Sequence, residues 1–210
     1  MENPARTAAH LALIDSRRHE LKAWCAEHIA GRSRLVLEIG CGHGHFLTAY
    51  AAVHPDELCV GVDIELERIE RALRKQQRTG LSNLHFVRAE ARLFLDVLPG
   101  HVRASAVYFL FPDPWPKRRH HKNRLLTPQF LEWLAEKTRD DARLYFRSDY
   151  APCLAEARMN AAEAPSWMIS NEAWPFDAPT VFQEWAREYS SFVAVRRPAL
   201  SAPAIAGAGV

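Results

Sequence analysis

The segment 111–124 carries the residues of this chain that are best suited to chemistry. It places one acid, Asp113, between two prolines, and Trp115 follows the second proline. Prolines fix φ and restrict the residues before them, so Asp113 is expected to be held stiffly at the end of an apolar run, 106–110. A dense cationic run comes next, which predicts an anionic partner, with nucleic acid as the first candidate. Its five cations are Lys117, Arg118, Arg119, Lys122 and Arg124.

The positive charge of the chain is concentrated in this one segment. The whole sequence has 27 Lys and Arg against 25 Asp and Glu, a formal net charge of +2. Without the five cations of 117–124, a segment that contains no acid, 22 basic residues face 25 acidic ones. A solvated basic loop is the alternative interpretation, because most charge runs are only that. The conformationally restricted residues before the cations, Asp113 and its flanking prolines, favour a functional role.

Length and composition indicate one soluble domain. A chain of 210 residues that is 48% hydrophobic can bury a full core. The four cysteines show neither a Cys-x-x-Cys pair nor metal-ligand spacing, which is typical of reduced thiols in the cytoplasm. No apolar run approaches the ~18–20 residues that span a bilayer, and the N-terminus lacks a signal-peptide pattern. We therefore expect a cytoplasmic monomer or homodimer with no membrane partner and no metal.

The elements that must position the segment 111–124 alternate along the chain as strand and helix. Helices are predicted over 6–30, 45–53, 65–78, 91–98, 128–137 and 151–164. Strands are predicted over 35–39, 58–63, 84–87, 106–110, 143–147 and 192–195. This alternation predicts an α/β fold, a doubly wound and mostly parallel sheet with helices on both faces. We expect 1–197 to be a single domain with an N-terminal helix, and 198–210 to be a disordered tail.

Glycines and acids fall at the carboxyl ends of the predicted strands, where parallel sheets bind ligands. Three alternate glycines let the backbone approach a ligand, although such a turn alone also suits an ordinary tight turn. Their spacing differs from that of dinucleotide folds, and the acid before them suits a cationic cofactor better than a pyrophosphate. Acids after the next two strands are placed for a ribose and for an adenine amino group. Together these features predict S-adenosylmethionine as the cofactor. The residues concerned are Glu38, Gly40, Gly42, Gly44, Asp63 and Glu90.

Several motifs also make the chain similar to a known family. They are LEIGCGHG at 37–44, GVD at 61–63, FPDPWPK at 111–117, SD at 148–149 and TVF at 180–182. The segment FPDPWPK, with the His-His pair that follows it, is far more specific than the glycine turn. On these residues the sequence resembles the bacterial tRNA (guanine-N7-)-methyltransferases, a class I S-adenosylmethionine-dependent family. The resemblance implies a Rossmann-like fold and methylation of a guanine in the tRNA variable loop, position 46 by convention.

The resemblance also implies four contacts with the cofactor, through Glu38, Asp63, Glu90 and Asp113. Asp113 is in addition the acid of the catalytic centre. The family usually has Glu in place of Asp63 and Asp in place of Glu90. Either exchange keeps the charge but moves it by one methylene.

Substrate contacts implied by the resemblance fall on Lys117, Asp149 and the segment from Thr180 to Gln183. Where this chain has Gln183 the family typically has Glu, and a glutamine cannot supply that charge. Guanine N7 carries a lone pair and no proton, so methylation needs alignment and stabilisation of a cationic purine rather than a base. Asp113 and Asp149 are the candidates for this task, and their roles are not divided by the sequence. Asp149 is also placed to cap the following helix.

The cations of 117–124 are expected to bind backbone phosphates, which makes affinity fall with salt. Trp115 is placed to stack on a nucleobase, or to serve as a structural plug between prolines. Three functions remain open. The first is the tRNA methyltransferase, the second a methyltransferase of this fold acting on another RNA or a small molecule, and the third a non-catalytic tRNA-binding relative. Gln183 separates the first two, and the intact glycines with Asp113 argue against the third.

Overall fold

A computed structural model describes residues 4–178, 186 and 188–198 of the chain, without the side chains of 4–10 and 118. Its helices are α1 (Pro4–His28), α2 (His45–Val53), α3 (Leu66–Thr79), α4 (Ala91–Val97), α5 (Pro128–Lys137) and α6 (Ala151–Glu163). Its strands are β1 (Arg34–Ile39), β2 (Cys59–Asp63), β3 (Leu84–Arg88), β4 (Arg103–Leu110), β5 (Thr138–Ser148), β6 (Trp167–Ser170) and β7 (Ser190–Arg196). A 3₁₀ helix covers Arg118–Asn123. The predicted alternation of strand and helix is confirmed, with β6 as an additional strand.

The strands form one sheet in the order β3-β2-β1-β4-β5-β7-β6. The first five of these pair in parallel, while β7 runs antiparallel to both β5 and β6. The predicted mostly parallel sheet is therefore confirmed. Strand order reverses between β1 and β4, since β2 follows β1 on one side and β4 lies on the other. In open parallel sheets, ligands bind outside the carboxyl ends of the strands at such a reversal.

Helices cover both faces of the sheet, as predicted. One apolar core packs the face of Leu37 and Phe109 against α1, α4, α5 and α6. The second core packs the opposite face, which includes Val36 and Tyr108, against α2 and α3. Because side chains alternate along a strand, Glu38 shares the second face with Val36 and lies beneath α2 and α3.

Gly44 lets the glycine turn pack directly against the sheet. Its φ is +70°, and a Cβ at this position would lie 2.4 Å from Cζ of Phe86. We expect Gly44→Ala to lower the free energy of unfolding by about 3–5 kcal/mol, through backbone strain and overlap with the ring. Gly80 is a matched control, because its φ is +64° but nothing lies within 4 Å of its Cβ position. Urea unfolding should show that Gly80→Ala lowers the free energy of unfolding by only about 1–2 kcal/mol. Equal losses of unfolding free energy in the two variants would contradict the contact with the Phe86 ring.

All four cysteines are unpaired and buried. In the part of the chain that the structure describes, no helix has the length and apolar character to cross a membrane. The predicted tail lies outside that part from residue 199 onward.

Candidate active site

A cavity of about 450 Å³ lies at the carboxyl ends of β1 to β4, where strand order reverses. Its volume is within the range of small-molecule sites. Four of the residues that the sequence predicts to bind the cofactor come together in its lining, namely Gly40, Asp63, Glu90 and Asp113. Apolar side chains from the strands, among them Val62 and Phe109, also line the cavity. The structure thus brings the ends of four separate strands to one ligand-sized space.

The lining of this cavity is strongly acidic. Among the described residues it has six carboxyl groups against two guanidinium groups. A cleft lined by one sign of charge focuses the field and favours ligands of the opposite sign. A cationic ligand therefore suits the cavity, and a pyrophosphate does not. The carboxyl groups belong to Asp63, Glu65, Glu67, Glu90, Asp113 and Glu156, and the guanidinium groups to Arg68 and Arg124.

Asp63 ties the glycine turn to the start of α3. Its Oδ2 accepts a hydrogen bond from the backbone N–H of Gly42 at 2.9 Å, and its Oδ1 accepts one from Glu65 N–H at 2.9 Å. The guanidinium of Arg68 lies 3.8 Å from Oδ2. The carboxylate thereby fixes the shape of the cavity wall while it lines the cavity itself.

Glu90 begins α4 as its N-cap. Its Oε2 accepts a hydrogen bond from Leu93 N–H at 2.9 Å. Because Glu90 also lines the cavity, its second carboxylate oxygen is available to a ligand there.

Glu38, Gly42 and Gly44 are buried and do not belong to the cavity lining. Glu38 is only 2% exposed, and it accepts a hydrogen bond from the backbone N–H of Leu47 in α2. Burial, and then the nearby Asp63 carboxylate, raise the pKa of Glu38 well above its usual range. A direct contact of Glu38 with a cofactor stays a prediction, since Glu38 does not line the cavity.

The turn that carries Asp113 is held in a strained conformation. Phe111 and Trp115 have φ values of 50° and 44°, in a region that bulky residues rarely adopt. The N–H of Phe111 donates to the carbonyl of Arg147 at 2.9 Å, which joins the turn to the end of β5. Trp115 lines the cavity, and its ring meets His120 edge-on at 5.8 Å. Asp113 is exposed between these two anchored residues.

Arg124 clamps this turn rather than facing solvent. Its Nε donates to the carbonyl of Pro114 at 3.0 Å, and its Nη2 donates to that of Trp115 at 3.3 Å. Its Nη1 pairs with the carboxylate of Glu156 in α6, and the arginine side chain is 8% exposed. This corrects the prediction that Arg124 binds phosphate, because each of its three guanidinium nitrogens donates to a protein oxygen and its side chain is buried.

We expect Arg124→Met to lower the free energy of unfolding by about 2–4 kcal/mol, since it leaves Glu156 without its partner and frees the turn. The lower part of the range applies because the Glu156 side chain is 32% exposed. Arg119→Met removes an exposed cation from the same segment and should change stability by less than about 0.5 kcal/mol. Guanidinium unfolding of both variants tests the clamp, and similar losses in the two would disprove it.

The remaining cations of the basic segment lie on its outer side. Lys117, Arg119 and Lys122 are exposed, while the side chain of Arg118 lies outside the described part. Arg119 donates from Nε to Nε2 of His120 at 3.2 Å. In the described residues, no three metal-ligating side chains lie close enough to hold a metal ion.

Asp149 is exposed directly after β5 but is not in the cavity lining. The alternative that it caps α6 is wrong, because the N-cap is Tyr150 and the cap has no side-chain hydrogen bond. Ser148 Oγ accepts from the N–H of Tyr150 instead, at 3.1 Å. Thr180 and Gln183 lie outside the described residues.

Arg147, at the end of β5, is a residue that the sequence analysis missed. It is 5% exposed, and its guanidinium carbon lies 4.1 Å from the ring centroid of Trp174 and 4.8 Å from that of Tyr189. Its Nη1 donates to Asp177 at 2.7 Å. Arg147 thus holds described residues on either side of 180–183. The sequence signal that could have identified Arg147 is its position directly after the aromatic strand residues Tyr145 and Phe146.

A family model described as "Putative methyltransferase" matches residues 32–193 of the chain. Several curated proteins that match are named tRNA (guanine-N(7)-)-methyltransferase. The one from Syntrophotalea carbinolica is 38% identical over 57% of this chain and 52% of its own length. The protein from Magnetococcus marinus is 35% identical over 70% of this chain and 58% of its own length. The protein from Brevibacillus brevis is 29% identical over 79% of this chain and 78% of its own length. The match thus spans little more than half the length of the first two relatives.

Solved structures of other methyltransferases share the fold. The antibiotic-resistance methyltransferase Kmr superposes with a TM-score of 0.53 at 24% identity, over 83% of this chain and 93% of that one. Precorrin-6y C5,15-methyltransferase from Geobacter metallireducens gives a TM-score of 0.56 at 11% identity, over 85% of this chain and 87% of that one. These similarities confirm the Rossmann-like methyltransferase fold.

Proposed function

We propose that this chain, which belongs to the methyltransferase family whose model matches residues 32–193, transfers a methyl group from S-adenosylmethionine to N7 of a guanine in the tRNA variable loop, at position 46 by convention. One observation carries the proposal: an acidic cavity lies beside a segment of exposed cations. A cationic cofactor fits the first surface and a polyanionic substrate the second. The names of the relatives support tRNA as the substrate and N7 of guanine as the acceptor atom.

The cavity residues fit S-adenosylmethionine. Asp63 and Glu90 offer carboxylate oxygens at the ends of neighbouring strands, where hydroxyl and amino groups of a nucleoside can donate to them. The excess of carboxylates in the lining matches the positive charge of a sulfonium. When bound, this cofactor supplies an electrophilic methyl group on a cationic sulfur.

Asp113 is assigned to the acceptor base. N7 of guanine has no proton to remove, and the purine becomes cationic as it is methylated, so a fixed carboxylate stabilises the developing charge. The strained turn and the Arg124 clamp hold Asp113 at the cavity edge before the substrate arrives. Asp149, which is exposed outside the cavity, is assigned to holding the substrate at the rim.

The exposed cations of the basic segment hold the RNA backbone. Lys117, Arg119 and Lys122 are exposed on the outer side of the turn. Each phosphate contact with single-stranded RNA adds about −0.7 to the slope of log affinity against log salt concentration, and each with a duplex about −0.9. Three such contacts therefore contribute a slope of roughly −2 to −3. Trp115, half-buried in the cavity wall, is positioned to stack on a base that leaves the loop.

The test is incubation of the protein with labelled S-adenosylmethionine and an unmodified tRNA transcript, followed by digestion to nucleosides. We expect the label in 7-methylguanosine, and we expect it to be lost from a transcript that has adenine at the variable-loop position. Label in another nucleoside would overturn the proposal. So would the absence of label from the tRNA, provided that calorimetry confirms that the protein binds the cofactor.

A further inference from the structure

The helix α3 carries a row of four arginines, of which the proposed site uses only the first. The row begins at Arg68 in the cavity lining and continues at spacings of three or four residues, which keep it on one side of the helix. From Arg68 to Arg78 it extends about 15 Å along the helix axis. Its members are Arg68, Arg71, Arg74 and Arg78.

The outer three arginines are open to solvent. Arg71, Arg74 and Arg78 are all exposed, and within the described residues none of them forms a salt bridge. Glu67 and Glu70 stand four residues before Arg71 and Arg74, the spacing at which helical ion pairs form. Their carboxylates nevertheless lie farther than 4 Å from these guanidinium groups. Arg71, Arg74 and Arg78 therefore present positive charge that no ion pair among the described residues neutralises.

The row also reaches the wall of the cavity. His43, in the glycine turn, has a lowered pKa, first because of burial and then because of the nearby positive charges of Arg71, Arg68 and Lys75. Arg68 itself lies 3.8 Å from Asp63. The cationic face of α3 is thus continuous with the edge of the proposed cofactor site.

The segment 117–124 is not the only concentration of positive charge, as the sequence analysis took it to be, because α3 is a second one on the other side of the cavity. Residues 66–79 hold five cations and two acids, and 117–124 hold five cations and no acid. The rest of the chain has 17 Lys and Arg against 23 Asp and Glu. The helix α3 follows β2, and the basic segment follows β4, on the opposite sides of β1. Two strand spacings, roughly 10 Å, separate the strands from which these cationic segments arise.

We infer that Arg71, Arg74 and Arg78 form a second phosphate-binding face, so that the RNA lies across the cavity between α3 and the 3₁₀ helix. The inference rests on the proposed function, because it takes RNA as the substrate. A backbone held on both sides presents the nucleotide between them to Asp113. An acidic cavity between two cationic faces also repels the phosphates themselves, which favours entry of a base over entry of the backbone.

The test is a triple variant, Arg71→Gln, Arg74→Gln and Arg78→Gln, in the full chain. We expect its Kd for tRNA at about 0.1 M salt to rise at least roughly tenfold, and its salt slope to become less negative by about 2. Cofactor affinity and kcat at saturating tRNA should stay unchanged. The matching triple lysine variant should keep the salt slope, because a phosphate is bound by a point charge as well.

The matched control removes three exposed cations from the amino ends of the strands, Arg32→Gln, Arg34→Gln and Arg139→Gln. It has the same net charge as the α3 variant but should bind tRNA like the original chain. If the two glutamine triples behave alike while the original chain methylates tRNA, the α3 face is refuted and the proposed function stands. If the original chain neither binds nor methylates tRNA, the proposed function fails and this inference fails with it.

Discussion

Asp113→Asn is expected to lower kcat for tRNA methylation by about 10²–10³-fold, with less than a tenfold change in KM for tRNA or in cofactor affinity. Asparagine keeps the shape of the side chain but removes the charge that stabilises the cationic purine. The turn around it should be unaffected, because Phe111 N–H, the Pro114 carbonyl and the Trp115 carbonyl hold it through the backbone. The loss should therefore appear in the chemical step.

Single-turnover kinetics with saturating tRNA measures that step directly. Asp56→Asn serves as the control, since Asp56 is an exposed acid in the connection between α2 and β2. It should leave the rate within about twofold. A normal single-turnover rate for Asp113→Asn, combined with a raised KM, would instead make Asp113 a substrate-binding residue without a role in catalysis.

Asp63→Asn is expected to raise the Kd for S-adenosylmethionine by roughly 10²-fold, a loss of about 2.7 kcal/mol. Both carboxylate oxygens accept backbone N–H groups, from Gly42 and Glu65, and an amide nitrogen cannot accept either bond. In the variant, the side-chain NH2 group therefore faces one of these two backbone N–H groups. Water cannot replace the lost acceptor easily, because the side chain at this position is only 3% exposed. Losing one such bond should also lower the unfolding free energy by about 1–3 kcal/mol.

Calorimetric titration of the cofactor and urea unfolding without it separate the two effects. Asp63→Glu is the matched control, because it retains two acceptor oxygens and the negative charge. Glutamate is also the usual residue here in the family that the sequence resembles. The Kd of this variant should stay within about tenfold of the original. Normal cofactor binding by Asp63→Asn would show that the Asp63 carboxylate is not needed at the site.

The sheet was predictable because its parallel strands are short apolar runs bounded by turn residues. The strands that became β1, β2 and β3 were placed within a residue or two of their observed bounds. The strand β6, by contrast, has only four residues, and they show no alternation of buried and exposed positions. It exists because β7 offers it an edge in the folded sheet, a pairing that no local pattern indicates.

The candidate site was predictable where its residues lie at the end of a strand or shortly after it. Gly40, Asp63, Glu90 and Asp113, which line the cavity, are signalled by this position. Arg124 was misassigned because its partner Glu156 is 32 residues away, and an arginine in a basic run looks the same whether it meets phosphate or protein. Arg147 was missed for the same reason, since Asp177 lies 30 residues further along the chain. Contact of Glu38 with the cofactor stays a prediction, and what the sequence did not indicate is that its side chain accepts a hydrogen bond from Leu47 N–H in α2.

Methyl transfer to two tRNA transcripts that differ in one atom tests the central claim most directly. One transcript carries guanine at the variable-loop position, and the other carries 7-deazaguanine, which has carbon in place of N7. The account predicts label from S-adenosylmethionine on the first transcript and none on the second, with equal affinity for both. Equal labelling of the two transcripts would contradict it, because the methyl group would then be on another atom.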